Sequence, residues 1–555
     1  MPRYEDSMNT ATPLRSHASS RAETSTIECF NPATGAPLGK VSACSAIQVQ
    51  EAVERARNAQ QTWRKSSFRQ RRAVLQHILD HVLEHADELC EHIVKDSGKT
   101  YENALLGEIM PICNKIRWLQ KNGEKHLRSE KMPSGLLMHK RARIEYIPLG
   151  VVACIVPWNY PLQNIISSLI APLMAGNAVI VKVSEVVAWS SQRFQEITDE
   201  ALRREGFSTD TVQIINGYGD TGAALVRAGV QKILFIGSAA NGRRIIEGSA
   251  EHLTPVVMEL GGKDPMIVCE DADVEKAVHS VLGGIYINLG QNCIASERLI
   301  IVDSMYDRIM DSLLPKVKAL RQGAPVRGGQ VDVGAITSPQ QIRIIDTLVR
   351  DAVEKGATLL AGGIPIESNG GSFYPPTVLT GITAEMRIAQ EEIFGPVLLV
   401  FRVKSEAEAV ALANDTAFGL HASVITQDHE KGRKIAAQLD AGATCINDFG
   451  LCYLNQDLPF GGVKHSGFGV MNGRDGLRSY TTAKAVLEDR WKFSPPPVLY
   501  PVKPMDYEKS LAVIRLLFGA GARNKLQSLL TLVKLSMFKL SLFKTATSKL
   551  SKTRP

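Results

Sequence analysis

Three short segments combine residue types that carbonyl and acyl-transfer chemistry needs. Cys293 closes Gly290-Gln291-Asn292-Cys293, at the end of a helical pattern over residues 273–288. A thiolate is a strong nucleophile where neighbouring groups favour its charged form. A cysteine taken singly is more often a small buried hydrophobe, but none of the other eight stands in a glycine-containing motif of this kind. Glu259 lies 34 residues earlier in Glu259-Leu260-Gly261-Gly262, after the apolar run 256–258. Two glycines let backbone approach closely and leave the carboxylate room to move, so Glu259 could serve as a general base. By itself the motif also fits a plain strand-end turn. Asn159 lies in Pro157-Trp158-Asn159-Tyr160-Pro161, directly after the apolar run 151–156. Ligand sites of α/β proteins form where a parallel strand ends, and an amide there can donate to a developing oxyanion. In isolation the same Asn reads as an Asx turn opening a helix.

Positioning these residues requires a scaffold, and the chain texture describes one. Residues 27–41 read as a hairpin around Asn-Pro and Thr-Gly turn signals. Helical periodicity follows over 46–63, 71–94 and 102–126. Apolar, β-branched runs at 151–156, 178–183, 212–215 and 233–236 then alternate with helical patterns, and a second alternating region runs from about 265 to 442. Its strand candidates are 266–268, 299–302, 397–401 and 422–425. Strand–helix–strand alternation predicts an α/β fold with parallel sheets covered on both faces.

Composition narrows the function classes. With 555 residues, 44% of them hydrophobic, the chain can bury more than one core. Nine cysteines, an odd number, show no CxxC pair and no His/Cys spacing of a metal site. That points to a reducing compartment without a disulfide framework, and to no metal. The net charge of +7 is unevenly spread: residues 491–555 carry +10, leaving −3 on the rest. A nearly neutral body argues against nucleic acid as a partner. Residues 1–25 are polar and Ser/Thr-rich, without an apolar run, and read as a disordered tail.

Taken together, the three segments resemble the aldehyde dehydrogenase superfamily over about residues 27–490. The likeness also includes Val181-Lys-Val-Ser-Glu185, Gly237-Ser238, Glu391-Glu-Ile-Phe-Gly-Pro-Val397 and Pro459-Phe-Gly-Gly-Val-Lys-His-Ser-Gly467, in the family's order. It implies two parallel-sheet α/β domains plus a small β arm for oligomerisation. By position, Cys293 matches the nucleophile that forms a thiohemiacetal. Asn159, with the backbone N–H of Cys293, matches the oxyanion donor, and Glu259 matches the base that activates water. The implied cofactor is NAD. Lys182 and Glu185 match residues at the adenosine ribose, where a carboxylate bonds both hydroxyls and repels a 2′-phosphate. Gly237 and Ser238 match the pyrophosphate contacts at a helix N-terminus. Glu392 and Phe394 match the nicotinamide-ribose and ring contacts, and Trp158 joins the cofactor set. Gly217-Tyr-Gly-Asp-Thr-Gly222 reads GxGxxG, a weak signal alone. Only Gly217 is carried over, as a wall of the adenine region. One departure stands out: Ala239 replaces the family's usual Thr after Gly-Ser.

The resemblance implies an NAD-binding domain of 26–127 with 150–259, a catalytic domain of 260–475 and an arm of 128–149 with 476–490. The arm implies a homodimer or homotetramer. Trp189, Glu488–Trp491 and the proline-rich opening of the tail are similar to a plant and fungal membrane-associated branch. The extension 491–555 holds the apolar stretches 511–522 and 526–544, but no run of 18 apolar residues free of charge. Lys534, Lys539 and Lys544 recur every five residues and scatter around a helix. A membrane surface on the cytoplasmic side, or packing on the body, is the expected place for this segment. The substrate is an aldehyde whose kind the sequence leaves open.

Overall fold

The computed structural model describes residues 25–366, 370–492 and 500–535. The expected disordered tail therefore lies outside the described residues except for Ser25, as do the proline-rich segment 493–499, Lys539 and Lys544. The described residues fall into two compact units, within Met1–Lys131 with Arg143–Val486 and within Met132–Ala142 with Leu487–Pro555.

In the first unit, the runs of β-branched residues become a six-stranded sheet. Its order is Gly467–Phe468, Val256–Leu260, Lys232–Gly237, Val151–Ile155, Ala178–Val183, Val212–Asn216. All pairings are parallel except that of Gly467–Phe468 with Val256–Leu260. Every residue of Val151–Ile155 and Ala178–Val183 is buried, so these strands show continuous apolar runs and no alternation. Strand order reverses on either side of Val151–Ile155, which makes its carboxyl end a topological switch point. A second sheet of seven strands has the order Thr358–Ala361, Thr377–Thr380, Val397–Val403, Arg298–Val302, Pro265–Val268, His421–Ile425, Ala443–Ile446. It is parallel throughout except at its first strand. The α/β class with parallel sheets is as the sequence predicts.

Two helices expected to be continuous are divided. The 71–94 pattern is Phe68–Glu84 and Ala86–Ser97, parted at His85. Asp87 and Glu88 suit the first turn of a fresh helix, where acidic groups meet the positive end of the dipole. The 102–126 pattern runs as Tyr101–Ala104, a π-helical turn Leu105–Ile109, and Met110–Leu127. Pro111 has no N–H to return to the preceding turn, and the ladder widens just before it.

The π-helical turn places Glu108 inside the protein, where one carboxylate oxygen pairs with Lys99 Nζ at 2.6 Å, both side chains wholly buried. The other oxygen accepts the N–H groups of Leu162 at 2.8 Å and Gln163 at 3.1 Å. These are the first free donors of the helix Pro161–Ala175, whose own N-cap, Tyr160, supplies no side-chain bond. The expected hairpin is present, with Thr26–Phe30 antiparallel to Pro37–Ser42.

Residues from the 128–149 and 476–490 stretches form a separate three-stranded sheet of order Thr481–Asp489, Lys140–Pro148, Glu130–Met132. In the second unit, the helix Asp506–Phe518 leaves Val513, Ile514, Leu517 and Phe518 exposed, and Leu526, Leu529, Leu530 and Val533 further on are exposed as well. Among the described residues no helix is long and apolar enough to cross a membrane.

Removing one partner of a buried pair strands the other charge, which costs about 3–5 kcal/mol. Glu108→Gln is therefore expected to lower thermal stability sharply, read as a fall in the unfolding midpoint. Solvent screens an exposed pair such as Lys40–Glu28, so Glu28→Gln should leave the midpoint nearly unchanged.

Candidate active site

The carboxyl ends of Val151–Ile155, Ala178–Val183, Lys232–Gly237 and Val256–Leu260 open on one cavity of about 830 Å³. Asn292–Ile294, Glu392, Phe394 and the 449–454 turn complete its walls. Ten of the eleven residues singled out from sequence line it; Gly217 does not. At φ +158° it packs against Thr221 so closely that a Cβ would meet Oγ1 at 2.0 Å. Gly219 and Gly222 of the same stretch reach the wall instead.

Cys293 follows a backbone that only a special sequence adopts. Asn288, Leu289 and Gly290 all have left-handed φ, of 50°, 53° and 66°. For Leu289 this conformation is strained. It is held because Asn288 N donates to Asn103 Oδ1 at 2.6 Å, while Asn288 Nδ2 donates to the carbonyls of Asn159 and Gln291, both at 3.0 Å. Gly290 is required here: a Cβ would stand 2.1 Å from the carbonyl oxygen of Gly395. Gln291, fully buried, ties the turn to Asn288 O and, through Oε1, to Thr337 N at 2.9 Å.

The pair of glycines after Glu259 admits close approach, as expected: a Cβ on Gly261 would lie 2.2 Å from Glu392 Oε2, and one on Gly262 would lie 2.5 Å from the backbone oxygen of Cys293. Glu392 Oε1 then accepts the Gly262 N–H at 2.9 Å.

Burial dominates the electrostatics. It pushes the Glu259 carboxyl up to about 7, offset only by a hydrogen bond with Cys293, and Oε1 has no partner. Burial first, and then the Glu259 charge, hold the Cys293 thiol well above its usual range. At neutral pH the sulfur therefore carries its proton unless the neighbouring carboxylate takes it. Glu392 is pushed up to about 8, by burial and then by Glu297. Asn159 is buried; Asn164 Nδ2 donates to its Oδ1 at 3.1 Å, which fixes the amide orientation. One Asn159 N–H goes to Gln291 O at 3.1 Å, leaving the second for a ligand.

At the other end of the cavity, Lys182 Nζ stands 3.7 Å from Glu185 Oε2, an ion pair loose enough to leave the carboxylate acceptor sites. Burial lowers the Lys182 ammonium. Ser238 caps Ala239–Ser249 through its hydroxyl, which accepts Asn241 N at 3.3 Å. Ala239 is the first helical residue and makes no capping contact itself. Phe394, held at φ 53°, meets the Trp158 ring edge-on at 5.3 Å. This row of hydroxyl-binding carboxylate, helix N-terminus and aromatic wall fits a dinucleotide.

The aldehyde dehydrogenase family model matches residues 19–486. The chain belongs to the aldehyde dehydrogenase family. An aldehyde dehydrogenase-like protein of Schizosaccharomyces pombe is 38% identical over 504 residues, covering 89% of this chain and 96% of that one. The 4,4′-diapolycopene aldehyde oxidase of a Methylomonas species is 34% identical, covering 92% and 96%. The NAD⁺ complex of the Bacillus cereus aldehyde dehydrogenase superposes with a TM-score of 0.80 at 33% identity, covering 84% and 94%. This enzyme is thus an oxidoreductase acting on an aldehyde.

Sequence reasoning missed the residues that hold the dehydrogenase site from behind. Lys99 donates to Asn159 O at 2.7 Å and lies 4.0 Å over the Tyr160 ring. Glu297 pairs with Lys263 at 2.6 Å and accepts the N–H groups of Ile393 and Phe394, each at 2.9 Å. Single Lys and Glu residues, each distant in the chain from its partner, carry no local signal of such pairing. The absence of His/Cys spacing also hid a cluster: His421, Cys445 and Cys452 bring their ligand-type atoms within 4.8 Å of one another.

A base with its carboxyl at about 7 accepts protons above that pH and is blocked below it. kcat/KM measured from pH 5 to 9 should fall about tenfold per unit on the acid side of 7 if Glu259 is the essential base. A flat acid limb in the native enzyme would sink that assignment.

Proposed function

We propose that the enzyme oxidises an apolar aldehyde to the carboxylic acid with NAD, through a thioester on Cys293 that water hydrolyses. The observation that carries this reading is the buried Glu259 carboxyl, with one oxygen unpartnered, on the wall of the same cavity as Cys293. Glu259 takes the thiol proton, and the sulfur adds to the aldehyde carbon. The free Asn159 N–H and the Cys293 backbone N–H hold the resulting alkoxide. When bound, NAD supplies the hydride acceptor. The alkoxide collapses to a thioester as hydride departs, and Glu259, once it has passed the thiol proton to solvent, deprotonates a water that attacks the acyl carbon; the C–S bond breaks, the acid is released, and the Cys293 sulfur takes a proton back from Glu259. Glu185 favours NAD because a carboxylate beside the ribose repels a 2′-phosphate.

An acyl-transfer reading, with CoA in place of water, is disfavoured by Glu259: a base beside the thioester serves water, whereas an already nucleophilic thiolate needs none. Ile294, Phe449, Leu451, Leu454, Phe460 and Met471 on the cavity wall support an apolar substrate. So does the likeness to an enzyme named for a polyene aldehyde. The divisions 26–127 with 150–259 and 260–475 are proposed as the cofactor and catalytic domains. The strands of 128–149 and 476–490 are proposed as the contact that builds a homodimer or homotetramer.

In Glu259→Gln both proton transfers lose their base, so acid production at neutral pH should drop at least a hundredfold, the usual contribution of such a base, and mass spectrometry after incubation with aldehyde and NAD for one native turnover time should show Cys293 still unacylated. Cys293→Ser should make neither adduct nor NADH. No free acid without CoA, with acyl-CoA formed once CoA is added, would overturn the hydrolytic reading.

The extension is proposed to sit on an anionic membrane surface on the cytoplasmic side, supported by exposed Ile514, Leu517 and Phe518 beside Lys509 and Arg515. Full-length enzyme should co-sediment with phosphatidylserine vesicles, and Leu517→Glu with Phe518→Glu should abolish this while leaving aldehyde turnover intact. Equal sedimentation of both forms would remove the membrane role.

A further inference from the structure

The nine cysteines of this chain are free thiols. Two of them, at opposite ends of a short loop, nevertheless touch. Cys445 lies on Ala443–Ile446, the last strand of the seven-stranded sheet, and Cys452 on the 3-10 turn Leu451–Tyr453. Their Sγ atoms are 3.0 Å apart, inside the contact distance of two unbonded sulfurs. His421 Nε2, from the neighbouring strand, stands 3.3 Å from Cys445 Sγ. Cys445 and His421 are buried, whereas Cys452 is partly exposed. None of the three lines the catalytic cavity, but Leu451 and Tyr453 on either side of Cys452 do.

We propose that Cys445 and Cys452 are a reversible disulfide-forming pair, oxidised by a hydroperoxide, which ties the turn carrying Leu451 and Tyr453 to the edge of the sheet.

The division of labour follows from the surroundings. Cys452 is the more exposed of the two sulfurs and so the one a hydroperoxide reaches, whereas Cys445 is buried behind it and is placed to resolve the oxidised sulfur. The Cys452 sulfur attacks one peroxide oxygen: an S–O bond forms, the O–O bond breaks, and the alcohol or water leaves with a proton from solvent. The Cys445 sulfur then attacks Cys452: the S–S bond forms, the S–O bond breaks, and hydroxide leaves as water with the Cys445 proton, relayed by His421 Nε2. Two thiols are oxidised and one hydroperoxide is reduced. His421 acts as a positioning and proton-relay residue here; its Nδ1 has no partner.

The consequence falls on the aldehyde side of the cavity. Tyr453 stacks edge-on against Phe460 at 4.8 Å and bonds Gln163. Closing the sulfurs to bonding distance draws the turn toward the sheet and disturbs those contacts, which raises KM for the aldehyde. This effect rests on the proposed substrate site; the bond itself does not.

Full-length enzyme is treated with stoichiometric hydrogen peroxide, denatured, alkylated with iodoacetamide and digested with trypsin. Both cysteines fall in one peptide, residues 435–464, bounded by Lys434 and Lys464. That peptide should be lighter by two hydrogens and carry no alkyl group, and dithiothreitol should restore two alkylatable thiols. In Cys452→Ser, Cys445 should stay fully alkylatable. Native enzyme should show a severalfold rise in KM on oxidation, reversed by dithiothreitol, and Cys452→Ser should not. Oxidation at Cys293 removes kcat in both forms and is not reversed as a KM change. Two alkylated sulfurs in the peroxide-treated peptide, or Cys452 carrying added oxygen without pairing, would overturn the proposal. So would one zinc per chain retained by native enzyme and lost in Cys445→Ser. A disulfide formed without a KM change would leave the modification standing and dismiss its effect on substrate.

Discussion

Two lysine–glutamate pairs, each wholly enclosed by protein, organise everything that faces the cavity. Lys99–Glu108 fixes the Trp158-Asn159-Tyr160 loop and the start of Pro161–Ala175. Lys263–Glu297 fixes the segment that presents Glu392 and Phe394. Such pairs gain little net stability over apolar packing. Their value lies in geometry: Lys99, Glu108 and Glu297 also hold backbone groups of the segments behind the site. Arg298 extends the second pair, bonding the carbonyls of Lys263, Leu412 and Ala413 while almost fully buried.

The same exclusion of water sets the chemistry. Glu259, Glu392 and Cys293 all sit where an ionised form is disfavoured, and each is shifted upward chiefly for that reason. A thiol and a carboxylate that share one proton carry one negative charge between them, and the proposed mechanism moves that charge to the sulfur only when substrate arrives. Asn159 contributes a neutral donor, adding no charge to an already crowded region.

Much of this was legible in the chain. Continuous β-branched runs marked strands buried on both faces, and the motifs around Cys293, Glu259 and Asn159 carried the family likeness. What stayed hidden depends on distant contacts. The break at His85 and the π-helical turn before Pro111 follow from how helices meet their neighbours, which periodicity does not record. The glycines of Gly261-Gly262 announced a close approach, but not its partners, because Glu392 and the Cys293 carbonyl come from elsewhere in the chain. The resemblance carried Gly217 over as a wall of the adenine region, whereas Gly219 and Gly222 of the same stretch line the cavity. Cys445, Cys452 and His421 gave no spacing signal because two parallel strands and a turn bring them together.

The backbone contacts at Gly262 and Gly290 have an evolutionary consequence. Any side chain at either position collides with main-chain oxygen, of Cys293 in one case and Gly395 in the other. The reacting centre is thereby locked by atoms that every amino acid shares, and its neighbours cannot drift. The wall that an aldehyde would meet is built from side chains such as Phe449, Leu451 and Met471 on separate turns. Those can be exchanged one at a time without disturbing the locked centre. A chain built this way can acquire new substrates while its chemistry stays constant.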